Sequence, residues 1–124
     1  MNQVLAIAAG GAAGAVLRFW TSQGVHHFLG RGFPYGTLFV NALGSLLMGF
    51  LYVMFIDRLD LAPEWRAAVL IGLLGAFTTF STFSIETLNL FEQGDFVKAV
   101  LNILLSVGLC LAAGWLGILL GRQL

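Results

Sequence analysis

Gly72–Glu86 reads GLLGAFTTFSTFSIE. The stretch lies inside an apolar segment long enough to cross a membrane. Within it, Thr78, Thr79, Ser81, Thr82 and Ser84 place five hydroxyls in seven positions, and Phe77, Phe80 and Phe83 recur every third residue among them. A segment that only anchors needs none of this, because lipid favours plain Leu, Ile and Val. Backbone that leaves the helix at membrane depth is tolerated only against protein or a water-lined cavity. The stretch therefore points to a polar path through a membrane, with irregular backbone at its centre. Gly72 and Gly75 precede the hydroxyls, so two half-helices with a joint near residues 76–80 are expected. Discontinuous helices of this kind present free carbonyl and N–H groups to ions at mid-membrane. The competing reading is an unbroken helix whose hydroxyls bond back to carbonyls one turn earlier.

The rest of the chain has the composition of a membrane protein. Of its 124 residues, 59% are hydrophobic and 10% charged, against about 25% charged in soluble domains. A chain this apolar cannot cover a water-soluble globule with polar surface. The hydrocarbon core needs roughly 20 residues per helix, so the chain holds four spans, at about 4–22, 36–56, 65–91 and 96–121, in one all-α domain over 1–124. No room is left for a soluble domain, a nucleotide site or an enzyme cleft outside the bilayer. A net charge of zero suggests no nucleic-acid partner. Cys110 is the only cysteine, which excludes an intrachain disulfide and a cysteine-based metal site within one chain.

In the first span, Gly10 and Gly14 form a G-x-x-x-G that lets helices approach closely. No Lys or Arg precedes this apolar run and three more spans follow, so it is expected to stay as a span and not to act as a cleaved signal. Arg18 falls near its end and is expected to snorkel to the interface. Ser22–Pro34 is expected as a solvated loop; its adjacent His26 and His27 point to different sides, which argues against a metal site. In the second span Asn41 follows Thr37 by one helical turn, so the two share a face, and Ser45 and Gly49 continue the stripe. A buried amide is costly unless hydrogen-bonded; Asn41 serves either a helix–helix hydrogen bond or a polar path. Glu86 is the one acid clearly inside a span and is a functional candidate by default. In the fourth span Asn102, Ser106 and Cys110 share one face, and Ala113, Gly117 and Gly121 another.

Lys and Arg in short loops set orientation. Arg58, Arg66 and Arg122 fall on one side and Arg18, Arg31 and Lys98 on the other, three against three. Such a chain has no reason to choose one orientation, so insertion both ways and an antiparallel dimer are expected. That dimer supplies the inverted symmetry that larger transporters build from internal repeats. Four helices also make a thin wall for a pore, which favours an oligomer independently.

The run G-x-x-T-T-F-S-T-F-S at Gly75–Ser84, with Glu86 after it, resembles the signature of the CrcB/Fluc fluoride channels. Pro34–Asn41, reading PYGTLFVN, is similar to the start of their second span, and Leu17–Arg18 to the end of their first. The resemblance covers nearly the whole chain. It implies a passive fluoride channel in the cell (inner) membrane, built as a dual-topology antiparallel homodimer with two pores. It places the pore phenylalanines on Phe80 and Phe83, the ion-donating amide on Asn41, and the hydroxyl track on Thr37, Thr79, Ser81, Thr82 and Ser84, with Ser106 from the fourth span. It places vestibule charges on Arg18 and Glu86. It implies a sodium ion at the dimer interface, held by the backbone carbonyls of Gly75 and Thr78 of both subunits. The family often has Tyr or His where this chain has Asn102, and Ser where it has Cys110.

Physical chemistry agrees with such a site. An aromatic ring is positive at its edge, so an anion meets the edge of Phe without a fixed charge. Conduction needs several weak sites that the ion can leave. Hydroxyls and a carboxamide supply donors that replace water. Two rival readings remain at this level. A proton-coupled exporter like the small multidrug-resistance proteins shares the four spans and dual topology, but its coupling carboxylate lies in the first span, which here holds no acid. A non-transport membrane scaffold would account for the glycine stripes alone.

Overall fold

The computed structural model describes residues 2–124, and these form helices joined by short turns. α1 runs over Asn2–Leu29, α2 over Tyr35–Arg58, α3 over residues 63–77, α4 over Phe80–Glu92 and α5 over Phe96–Gln123. Four segments are long and apolar enough to span a membrane: α1, α2, α3 with α4 taken together, and α5. The chain is an all-helical, multi-pass membrane protein.

The first helix differs from expectation. Ser22–Leu29 is helical, so His26 and His27 stand on α1 and the loop shrinks to residues 30–34. Nothing between Ser22 and Leu29 stops a helix, since a lone Gly24 only weakens one. The stop comes at Gly30, whose φ of 81° no side-chain-bearing residue adopts readily. Its N–H closes on His26 O at 2.8 Å. Arg18 consequently lies eleven residues before the end of α1, about 16 Å along the axis.

Helix ends follow local chemistry elsewhere. Pro63 opens α3 at a position whose N–H would have no partner anyway, and Gly94, with φ 84°, turns the chain between α4 and α5. Met54–Arg58 and Ala67–Leu73 are wound as wider π-type turns.

Small residues set the helix pairs. α1 packs on α3 and α2 on α5, with α1 also touching α2. A Cβ at Gly14 would collide with the Leu73 carbonyl, and one at Gly10 with that of Ala68. On the other pair, a Cβ at Gly117 would strike the Leu46 carbonyl and lie 2.8 Å from Phe50 N. The glycine stripes of the first and fourth spans therefore let backbones touch directly. α4 is the loosest element: it leans on α5 and touches α2 sparingly.

Candidate functional site

Helical backbone stops at Phe77 and resumes at Phe80. Thr78 (φ −87°, ψ 157°) and Thr79 (φ −151°, ψ 121°) are extended between them. The hydrogen bonds at this interruption account for its shape. Thr78 N and Thr78 Oγ1 both donate to Leu74 O, each at 3.1 Å, which ends α3. Thr79 caps α4: its Oγ1 accepts from Thr82 N at 3.2 Å and lies 3.1 Å from Thr82 Oγ1 and 3.3 Å from Ser81 Oγ. A Thr at this position is a favoured N-cap because its oxygen satisfies a helix-start N–H.

Two side chains from other helices hold the joint. Asn41 of α2 grips the Thr79 peptide at both ends: its Nδ2 donates to Thr79 O at 2.9 Å and its Oδ1 accepts from Thr79 N at 2.7 Å. Arg18 of α1 donates from Nε to Ala76 O at 3.0 Å. Arg18 thus bonds a carbonyl that the interruption has left without its helical partner, and it also lines a cavity with Glu86.

The same bonds free two other carbonyls. In a continuous helix Gly75 O would accept from Thr79 N, and Thr78 O from Thr82 N. Those donors go instead to Asn41 Oδ1 and Thr79 Oγ1. Gly75 is exposed and carries no side chain to cover its carbonyl. Hard backbone oxygens released in this way are the donor type that unwound helices offer to sodium. The residues present therefore fit such an ion, although one subunit offers only this pair.

Two cavities flank the joint, and Thr79 lines both. The smaller, about 230 Å³, is of mixed character, about half polar, and is lined by Arg18, His26, Arg31, Thr37, Thr82 and Glu86 among others. Two guanidinium groups, of Arg18 and Arg31, face the one carboxylate of Glu86 there, so the chamber is net positive. Arg31 is steadied by Gln23, to whose Oε1 it donates at 2.8 Å. Glu86 Oε1 is buried with no hydrogen-bond partner among the described residues. The larger cavity is an open groove of about 760 Å³, mostly apolar, whose lining includes Asn41, Thr78, Phe80, Phe83 and Ser106. Phe80 and Phe83 lie 5.2 Å apart, centroid to centroid, with rings inclined by 50°. Phe80 is 76% exposed while Phe83 is 8% exposed, so the pair reaches from the protein interior to the open face.

The structure thus gathers Arg18, Thr37, Thr82 and Glu86 in the chamber, and Asn41, Phe80, Phe83 and Ser106 at the groove, with Thr79 between. Ser81 and Ser84 line neither cavity; Ser84 bonds back to Phe80 O at 3.0 Å, as an ordinary helical serine does. Asn102 is buried and also lines neither. Sequence reasoning missed Thr87, which is buried and donates to Phe83 O at 2.8 Å. Its spacing of four from Phe83 was the available signal. It also missed Gln23, and His26 and Arg31 as chamber residues, because it assigned them to a loop.

Comparison with known proteins places this geometry in context. The family described as CrcB-like protein, Camphor Resistance (CrcB), matches residues 5–118. A protein of Methylococcus capsulatus named fluoride-specific ion channel FluC is 65% identical over 121 residues, 98% of this chain and 53% of the relative. The chain therefore spans about half the length of that relative. Proteins of the same name from Coxiella burnetii and Geobacter sulfurreducens are 52% and 48% identical, over 98% and 100% of this chain and equal shares of their own lengths.

Proposed function

The chain belongs to the CrcB-like family, and we propose that it is a fluoride-selective passive channel that lets fluoride leave the cytoplasm. The observation that carries the reading is the interrupted third span, pinned by Asn41 and Arg18, with a chamber on one side and a phenylalanine-lined groove on the other. It supports a path from the chamber, where net positive charge gathers anions, past Thr79 to the ring edges of Phe80 and Phe83. The start of α4 adds the positive end of a helix dipole at that point. Among the described residues no fixed cation lines the groove, which suits an ion that must leave as readily as it binds. A passive leak suffices for protection: hydrogen fluoride enters as the neutral acid, dissociates inside, and the anion leaves through the channel. The protein catalyses no reaction.

The working unit is proposed to be an antiparallel homodimer in the cell (inner) membrane. A groove holding Asn41, Thr79 and Ser106 beside exposed Phe80 does not suit lipid, since polar groups in hydrocarbon are costly. A second, inverted copy covers it. The same dimer completes a sodium site: Gly75 and Thr78 carbonyls from each subunit would hold the ion, which when bound supplies a structural charge tying the two joints together. Loop charge supports dual topology. With Arg18 withdrawn to the joint, Arg58, Arg66 and Arg122 oppose only Arg31 and Lys98, a bias of one.

Fluoride efflux from liposomes holding the purified protein tests the function. Rapid release, with chloride retained, is expected. Efflux no faster than from protein-free vesicles, or equal release of chloride, would sink the proposal.

A further inference from the structure

A buried chain of polar side chains joins α5 to α4. Ser106 Oγ donates to Asn102 Oδ1 at 3.3 Å, Asn102 Nδ2 donates to Thr87 Oγ1 at 2.9 Å, and Thr87 Oγ1 donates to Phe83 O at 2.8 Å. Asn102 is 2% exposed and Thr87 5%, so neither is reachable by an ion in the groove. Each of the three hydrogen bonds runs from the groove side toward the Phe83 carbonyl. Of these three polar side chains Ser106 alone lines the groove, and its single proton is committed to Asn102.

α4 needs such a tie. It is cut from α3 by the interruption, leans on α5, and meets α2 sparingly. Apolar contact with one neighbour is non-directional and leaves rotation about the helix axis weakly defined. Hydrogen bonds are directional and fall off steeply with misalignment. Thr87 lies four residues after Phe83 and so on the same face of α4; holding one holds the other. The orientation matters because a ring attracts an anion at its edge and repels it at its face.

We infer that Asn102 and Thr87 are positioning residues: they fix the rotation of α4, aim the rings of Phe83 and Phe80 at the groove, and so set the preference for fluoride over larger anions without touching the ion. This rests on the fluoride-channel reading. Of the three polar residues on one face of the fourth span, Ser106 and Cys110 line the groove, whereas Asn102 turns inward to Thr87.

The test compares fluoride and chloride efflux from liposomes for wild type, Thr87→Ser, Thr87→Val, Asn102→Leu and the double variant Thr87→Val/Asn102→Leu. Only material eluting at the wild-type assembly size is used. Thr87→Ser keeps the hydroxyl and should match wild type. Thr87→Val and Asn102→Leu should each lower the fluoride-to-chloride rate ratio about tenfold, the scale of one lost hydrogen bond. The double variant should be no worse than the poorer single, because both break one tie. Thr87→Val is isosteric and carries the test if Asn102→Leu does not assemble. An unchanged ratio in Thr87→Val, or a double variant whose losses multiply, overturns the inference. Wild-type vesicles that release no fluoride overturn the channel reading itself, and this inference with it.

Discussion

Asn41→Leu is the sharpest perturbation of the joint, because it removes a carboxamide and keeps its bulk. The carboxamide satisfies both polar atoms of the Thr79 peptide. Thr79 sits in a part-buried position where extended backbone offers no helical substitute. Leaving one buried polar group unpaired costs about 1–3 kcal/mol. Two groups lost together give roughly 2–6 kcal/mol, with the lower half expected because the open groove lets water reach one side. For an assembly of this size, 1 kcal/mol moves Tm by about 2–4 °C, so a loss of about 2–4 kcal/mol should make Asn41→Leu melt roughly 4–16 °C below wild type in detergent. Asn41→Asp discriminates further. It keeps the acceptor for Thr79 N, loses the donor to Thr79 O, and adds a negative charge at the groove. Its Tm should fall between the other two while fluoride flux disappears. The readout is a melting curve in detergent beside liposome flux for the three proteins. If Asn41 serves only the ion, flux falls in both variants and Tm does not move. A Tm of Asn41→Leu within about 2 °C of wild type would refute the claim that this side chain holds the interruption.

Four shorter predictions follow from the same geometry. Arg18→Gln should lose most of the Ala76 tie and lower stability by about 1.5–3 kcal/mol, the range for hydrogen bonds to charged groups; an unchanged melting curve would show that the bond carries nothing. Phe80→Ile should abolish selective flux yet leave subunit stability nearly intact, since Phe80 is mostly exposed, whereas Phe83→Ile should cost about 1 kcal/mol more because it repacks a buried site; equal melting of the two would contradict this assignment. Replacing sodium with a large organic cation should loosen the dimer if the Gly75 and Thr78 carbonyls hold a sodium ion, read as a shift toward monomer on size exclusion; an unchanged elution profile counts against the site. Lysines placed at Leu59 and Leu61 should raise the loop bias from one charge to three and fix orientation, halting flux until a copy biased the opposite way is co-expressed; full activity of the singly biased protein would rule out an antiparallel assembly.

The readable part of this chain was the part governed by sums along the sequence. Spans follow from hydropathy over about twenty residues, and the structure has four long apolar helices, the first running to Leu29, past the expected end near residue 22. The cluster of Gly75, the hydroxyls and the phenylalanines marks where the third span is interrupted. Partners distant in sequence were not legible. Nothing local says that Arg18 will meet Ala76, 58 residues on, or that Asn41 will clasp the Thr79 peptide 38 residues on. The extent of α1 was hidden for a related reason: Ser22–Leu29 is polar enough to read as loop, yet it contains no strong stop before Gly30. The fourth-span face illustrates a third limit. Periodicity groups Asn102 with Ser106 but cannot say whether their face meets the groove or the neighbouring helix, and the side chains of α4 decide that.

The interruption and its supports explain one another. A helix broken inside the bundle leaves carbonyls and N–H groups that lipid cannot satisfy, so the break persists only where other helices supply partners. α1 supplies the Arg18 guanidinium to the carboxyl-side end of α3, and α2 supplies the Asn41 carboxamide to Thr79, just before α4 begins. Each can do so only because the glycine stripes bring the helices close: Gly14 lets α1 lie on α3 at Leu73, and a Cβ at Gly44 on α2 would collide with the Thr78 side chain. The small residues are therefore not a separate packing feature laid beside the pore. They set the distance at which Arg18 and Asn41 reach the joint, and the joint in turn spares two carbonyls and presents a helix start to the groove. A stripe of glycines, a buried arginine and a lone amide thus belong to one device, in which close helix contact is the condition for an interruption that an anion can use.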